Sequence, residues 1–375
     1  MKKLSIKERI FYGLVCNEKR VYRHWYRRYL NAGLDLERIR RVVARIKNWY
    51  VWCSEWSREG ELLEDLAKEA LSKGNAYSAR CFFHEAAGCF HVGQHFFYID
   101  PEQKNKAEER LRENYKKAID LYDDDQRPIR VEVPFRGSVI PGYLRLTTQA
   151  KRPLVIFSNG MDNLKEIELH HYGNLFTAAG FNTLAFDGPG QGEVWKDMKF
   201  IPDYEKAVGA IIDWFEENDQ YDIDLEKIGT LGWSLGGYLS PRAAAFDKRI
   251  CCAIGSGGPA HARNFSNKMK VNPLLLKGIP HLVGAETYER SLELFDIDIK
   301  KAPPMDRPLL IFHSGKDRLI PNGREHADYF MEWVVGEKEL KYYPDGEHVC
   351  ANYLDETDAY MIDWLNRHLG KAASQ

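Results

Sequence analysis

The sequence predicts an α/β fold, a mostly parallel sheet covered by helices and preceded by a helical region, and three observations predict it. From the start to about Tyr122 the chain holds a single proline, Pro101, and is dense in helix formers, charges and aromatics. Beyond Pro128, eight short strand-like runs bounded by turn residues alternate with helical stretches, the pattern of a parallel sheet with both faces covered. One of those runs, Lys227 to Leu231, leads through Gly232-Trp233-Ser234-Leu235-Gly236 into a small-residue helix, which makes a tight, strained strand-to-helix turn with Ser234 at its tip.

Each element follows from its pattern. Ile39, Val42, Val43, Ile46, Trp49 and Tyr50 recur at helical spacing, then Leu62, Leu63, Leu66, Ala67 and Ala70. A third helix is expected over about Ala76 to Phe97 and a fourth over about Ala107 to Leu121, with Asp123-Asp124-Asp125 before Pro128 marking a boundary between a region 1–125 and a region 126–375. The strand runs are Ile129 to Phe135, Ile140 to Leu146, Leu154 to Phe157, Thr183 to Phe186, Ile228 to Leu231, Ile250 to Ile254, Leu309 to Phe312 and Leu340 to Tyr343. Helices are expected at His170 to Ala179 and Tyr204 to Glu217. The segment 259–304 interrupts the alternation, has room for two or three helices, and reads as a lid insertion, because inserts at the carboxyl end of a parallel sheet lie over the ligand site.

The chemistry follows from the order of residues after Ser234. A serine hydroxyl is a poor nucleophile near neutral pH, so an imidazole must take its proton and a carboxylate must fix the imidazole's tautomer. Asp317 lies in the loop after the run Pro308 to His313, and His348 lies in the turn-rich loop Pro344-Asp345-Gly346-Glu347-His348 after the last run. Serine, acid, histidine in that order is the arrangement of an α/β-hydrolase fold. Singly, Asp317 and its neighbour Asp345 read as turn aspartates and His348 as a surface histidine. An oxyanion needs backbone donors, for which the amides of Leu235 and Met161 are the candidates, with Gly160 allowing a close approach; Asn159-Gly160 also reads as a simple turn.

Composition bounds the rest. At 375 residues, with 44% hydrophobic and 13% aromatic content, the chain has ample material for a core, and a net charge of -2 gives no sign of nucleic-acid or membrane affinity. No stretch approaches the roughly 18 apolar residues that span a bilayer. The charged start, Met1 to Arg9, lacks the apolar stretch of a secretory signal, so a cytoplasmic protein is expected. Seven scattered cysteines without a CxxC argue against a disulfide framework. Between Pro259 and Ala285 there is no acidic residue, while His261, Arg263, Lys268, Lys270, Lys277 and His281 are basic or can be, which leans towards a small neutral or anionic substrate; a solvated basic face is the plainer reading.

Asp187-Gly188-Pro189-Gly190-Gln191-Gly192-Glu193, the turn Gly232 to Tyr238, and Asp345-Gly346-Glu347-His348 ahead of Met361-Ile362-Asp363-Trp364-Leu365 together resemble the 2,6-dihydropseudooxynicotine hydrolase group of α/β hydrolases. That group includes fungal enzymes that shorten heptaketide pigment precursors, and it is similar to the FrsA-like esterase family. The resemblance implies that the helical region caps the active site, and that the bond cleaved is a carbon–carbon bond beside a ketone, or an ester. Pro241, inside the helix after Ser234, departs from the pattern by removing a backbone hydrogen bond.

On the third helix Cys81, His84, His91 and His95 fall on one face. Interleaved with Phe82, Phe83, Phe90, Phe96 and Phe97, they read as helix packing, as an aromatic and histidine wall of the substrate pocket, or as zinc ligands. His84, His91, His95, Trp233 and His261 are the candidate substrate contacts, although Trp233 beside the serine reads more simply as core. No cofactor and no metal are expected. The functions that fit are a carbon–carbon bond hydrolase on a 1,3-diketone or related aromatic ketone, a carboxylesterase or thioesterase with the same residues, and a non-catalytic binding protein on a hydrolase shell. Trp25, Tyr26 and Tyr29 could supply a homodimer contact.

Overall fold

The computed structural model describes residues 18–267 and 271–370. The charged start Met1 to Arg9 and the basic residues Lys268 and Lys270 lie outside the described residues. The chain forms two compact units: a helical unit of residues to Arg127 together with Glu166–His171, and a sheet unit of Pro128–Lys165 and Tyr172 onward. The short return of Glu166–His171 to the helical unit has no announcement in the sequence.

The helical unit contains α1 (Glu18–Asn31), α2 (Leu36–Arg45), α3 (Trp52–Ser72), α4 (Ala76–Gln94) and α5 (Pro101–Ile119). Helix α5 begins six positions before the expected Ala107. Its apolar periodicity starts only there, but Pro101 occupies the first turn, where a missing N–H costs nothing, and the Asp100 carboxylate caps the amides of Glu102 and Gln103. The core is an aromatic cluster: Trp49 stacks on Trp52 at 4.8 Å, Trp25 on Phe96 at 5.4 Å, and Trp56 is fully buried. Charged groups are drawn into it in pairs. Glu59 is held by Arg38 and Arg45, each at 2.8 Å, so its carboxylate is buried with its charge compensated.

The sheet unit carries β1 (Ile129–Phe135), β2 (Ser138–Arg145), β3 (Arg152–Ser158), α6 (Glu168–Ala178, whose first turn belongs to the helical unit), β4 (Asn182–Phe186), α7 (Glu205–Glu217), β5 (Ile223–Trp233), α8 (Gly236–Phe246), β6 (Ile250–Ser256), α9 (Leu275–Val283), α10 (Tyr288–Leu294), β7 (Leu309–Ser314), α11 (Gly323–Trp333), β8 (Lys338–Tyr343) and α12 (Leu354–Leu369). The sheet order is β1-β2-β4-β3-β5-β6-β7-β8. Strands β3 to β8 run parallel, while β2 is antiparallel to both β1 and β4. The β1–β2 hairpin turns through Arg136 and Gly137, both at positive φ, a two-residue turn whose twist suits the flanking strands. Strands β3, β4 and β7 are buried throughout, which fits their continuous apolar runs.

The insertion between β6 and β7 holds α9 and α10, within the expected two or three helices. It packs on the segment after β4: the Trp195 indole donates to the His281 carbonyl at 2.6 Å, its ring stacks on the His281 ring at 4.1 Å, and the Phe200 amide donates to Leu282. Pro241 sits inside α8, which continues through it to Phe246. No helix among the described residues is long and apolar enough to cross a membrane.

Candidate active site

Four loops at the carboxyl ends of β3, β5, β7 and β8 build the site. At the end of β5, Ser234 has φ of 56°, a left-handed conformation that a residue with a side chain adopts only when its surroundings impose it. The surroundings here are very close. A methyl group at Gly232 would stand 2.1 Å from the Gly236 carbonyl oxygen, and one at Gly236 would stand 2.0 Å from the Ser158 carbonyl oxygen, so both positions exclude any side chain. The Ser234 amide is pinned to the Ser256 carbonyl at the end of β6, at 2.8 Å. The hydroxyl is thereby presented at the tip of the turn, half-exposed.

Asp317 follows β7. One carboxylate oxygen accepts the amides of Leu319 and Ile320, each at 2.8 Å, and the other meets His348 Nδ1 at 2.7 Å. Burial alone would raise this carboxyl, but the His348 charge and hydrogen bond and the Ile320 amide together hold it below the ordinary aspartate value. Asp345 instead pairs with Lys316 at the surface and takes no part in this set. His348 Nε2 lies 2.9 Å from Ser234 Oγ, which completes a continuous path from hydroxyl to imidazole to carboxylate. The loop that carries the histidine is itself bent: Val349 and Cys350 have φ of 55° and 56°, and the Asn352 side chain ties the Glu347 amide to the Asp345 carbonyl.

The loop after β3 lies against the nucleophile. A methyl group at Gly160 would stand 3.3 Å from Ser234 Cβ, so the close approach expected there is present. Among the described residues no protein acceptor meets the amide of Leu235 or of Met161. A serine with a base within reach and backbone donors for an oxyanion is what an acyl-transfer site requires, and the Leu235 and Met161 amides remain the candidate donors.

The chain as a whole is similar to known proteins. The sequence pattern of the prolyl oligopeptidase family covers residues 169–372. The chain belongs to the prolyl oligopeptidase family. It is 29% identical over 323 residues to the 2,6-dihydropseudooxynicotine hydrolase of Paenarthrobacter nicotinovorans, covering 84% of this chain and 83% of that one. It is 29% identical over 240 residues to the alpha/beta hydrolase gkaG of Penicillium citrinum, covering 60% of this chain and 56% of that protein, so the match spans little more than half of the fungal relative. The crystal structure of 2,6-dihydroxy-pseudo-oxynicotine hydrolase superposes with a TM-score of 0.82 at 26% identity, over 92% of this chain and 96% of that one. This prolyl oligopeptidase family member therefore has the α/β-hydrolase fold that its sequence predicts.

The remaining candidates scatter. Trp233 is buried in a stack with Tyr172 at 4.1 Å and meets Phe157 edge-on, which is core packing. His261 is buried beside His326, ring centroids 4.7 Å apart, and His326 in turn lies parallel to His313 behind Asp317. Burial lowers all three imidazoles, taking His326 down to about 3 with the help of His313 and His261. In the helical unit, His91 and His95 are buried, with His91 near Glu168 at 3.7 Å, and the His84 ring lies 4.5 Å from that of His170. Cys81 is exposed, and the Cys81, His84, His91, His95 stripe gathers no three donors at ligating distance among the described residues. A helical period places side chains on one face but does not make them converge.

Three features escaped the sequence reading. Asn352 fastens the histidine loop, His313 lies behind the acid, and the Asp187-to-Glu193 segment encloses the loop after β3. There, buried Lys165 pairs with Asp187 at 2.8 Å, and Asp187 accepts the Asn159 side chain at 3.0 Å. The density of glycines around Gln191 is the signal the sequence carries, and by itself it marks only a resemblance.

Proposed function

We propose that this chain is a serine hydrolase in which Ser234 is the nucleophile, His348 the base and Asp317 the orienting acid, and that it cleaves a carbon–carbon bond beside a ketone. The observation that carries the reading is the path from Ser234 Oγ through His348 to Asp317, at 2.9 and 2.7 Å. On a 1,3-diketone, Ser234 Oγ adds to one carbonyl as His348 Nε2 takes its proton, and the Leu235 and Met161 amides receive the oxyanion. Collapse breaks the carbon–carbon bond, and its electron pair becomes the enolate of the other carbonyl. His348 returns the proton to that carbon, releasing a ketone. Water then attacks the acyl-enzyme, with His348 passing its proton to Ser234 Oγ, and a carboxylic acid leaves.

The choice of a carbon–carbon bond is supported by the resemblance of the three motifs and by the relative named 2,6-dihydropseudooxynicotine hydrolase, of which 83% is matched. A small neutral or anionic substrate suits a segment from Pro259 to Ala285 that has Arg263 and Lys277 and no acidic residue. The test is turnover of an aromatic 1,3-diketone: an acid and a ketone in equal amounts, both lost in Ser234→Ala. Rapid hydrolysis of short-chain nitrophenyl esters with diketones untouched would make it a carboxylesterase or thioesterase. Folded protein whose Ser234 takes no fluorophosphonate would be a non-catalytic binding protein.

A further inference from the structure

We propose that Gln191 is the positioning residue of the oxyanion loop: its side-chain amide fixes which way the Met161 N–H points. The proposal rests on the serine-hydrolase reading above. Gln191 is 1% exposed and uses both ends of its amide. Nε2 donates to two successive carbonyls, Asn159 at 2.9 Å and Gly160 at 2.8 Å. Oε1 accepts from the Gly188 amide at 3.0 Å and from the Tyr204 hydroxyl at 2.8 Å. A backbone amide can only donate and a carbonyl can only accept, so these partners leave one orientation for the side chain.

The consequence follows from peptide geometry. In a trans peptide the carbonyl and the next N–H lie in one plane and point in opposite directions. Holding the Gly160 carbonyl on Gln191 therefore turns the Met161 N–H to the far side of that plane. Holding the Asn159 carbonyl does the same for the Gly160 N–H. Without this anchor the Gly160–Met161 peptide could rotate about a glycine, where backbone freedom is greatest, and present a carbonyl dipole in place of a donor. A carbonyl oxygen facing a developing oxyanion repels it.

Gln191 is held in turn. Tyr204 is fully enclosed, and Gly188 is the reason it reaches Oε1, because a methyl group there would stand 2.1 Å from the tyrosine oxygen. The Asn159 side chain donates to the Phe186 carbonyl and to Asp187, so the loop is fastened both by its carbonyls and by its own side chain. The glycine-rich segment after β4 thus delivers one glutamine side chain to the back of the loop that borders Ser234.

Fluorophosphonate labelling of the full chain reads this without knowledge of the substrate. Ser234 Oγ bonds to phosphorus, fluoride leaves, His348 takes the hydroxyl proton, and the phosphoryl oxygen takes the oxyanion's place. The saturating rate and the half-saturating probe concentration are measured across pH. Gln191→Met should lower the saturating rate about 10- to 100-fold, less than the loss of a donor outright. The half-saturating concentration and the pH midpoint should not move. Gln191→Glu, which sets a carboxylate oxygen against the two carbonyls, should fall at least as far. Tyr204→Phe removes a single bond to Oε1 and should lose about three- to tenfold with the same signature. A rate within twofold of the parent in folded Gln191→Met overturns the proposal, as does a fall accompanied by a moved pH midpoint, which would mark a disturbed triad. Should Gln191→Met fail to fold, an unchanged rate in Tyr204→Phe overturns it independently. A parent chain that does not label at Ser234 overturns the functional reading and this proposal together, whereas a labelling parent with equally reactive Gln191 variants overturns this one alone.

Discussion

In the helical unit the one non-glycine residue with positive φ among the described residues is Phe96, and the unit's special features are interlocked side chains: stacked tryptophans and carboxylates enclosed by arginines. In the sheet unit there are seven such residues, and three of them, Ser234, Val349 and Cys350, belong to or adjoin the triad. The helices are held by packing that any good core uses. The site is held by backbone that would relax if its surroundings allowed it. The difference teaches where to expect which kind of damage: lost stability in one unit, and lost rate with little lost stability in the other.

The largest expected effect tests the second half of that statement. Ser234→Ala should lower turnover by about 10⁴-fold or more while the thermal midpoint stays near the parent's, because the hydroxyl contributes one hydrogen bond to a half-exposed position. Initial rates on the diketone or ester, with a melting curve on the same preparation, check it. Retained turnover would remove Ser234 from the chemistry. The converse test lies in the helical unit. Trp56 is fully buried against Trp52 and Tyr29, and Trp56→Ala should cost about 3–5 kcal/mol in urea unfolding. A loss under 1 kcal/mol would mean that the aromatic cluster does not hold the helices.

This contrast also explains what could be read in the sequence. Ser234, Asp317 and His348 were legible because each follows a strand that turn residues bound and each must be a particular residue type in a fixed order. The start of α5 was not, since its first turn is wholly polar and its only mark is the pair Asp100-Pro101, which reads equally well as a break. Nor was the purpose of His91 and His95, because periodicity cannot tell a buried imidazole that packs from one that meets a ligand. Gln191 stands inside a glycine-rich motif, yet its function depends on two carbonyls about thirty positions earlier, and no local pattern carries that distance.

A third prediction concerns a buried carboxyl that no partner relieves. Burial first, and then Asp355, push Asp358 on α12 up to about 7, and its Oδ1 has no hydrogen-bond partner among the described residues. The folded value therefore lies above that of the unfolded chain. Below the unfolded value both states are protonated and stability is complete; as pH rises from about 4 to 7 the unfolded chain releases its proton first, so stability falls and then levels off. Asp358→Asn should abolish that fall. It should gain roughly 4 kcal/mol on the parent at pH 8 relative to pH 4, measured by urea midpoints. An equal gain at both pH values would show that the carboxyl titrates normally.

The smallest effect is the most direct measure of stored strain. Ser234→Gly and Ser234→Ala both remove the nucleophile, so they differ only in what the backbone at φ of 56° has to tolerate. In an ordinary conformation glycine is the less stable of the two by about 0.5–1 kcal/mol, because the unfolded chain gains freedom. In the left-handed region the order reverses, since alanine keeps a Cβ that the conformation disfavours. Ser234→Gly should therefore be the more stable variant by about 0.5–1 kcal/mol, and it should also exceed the parent. If alanine proves the more stable, the turn at Ser234 stores no strain, and the sheet unit would then be holding its site by packing alone, as the helical unit holds its core.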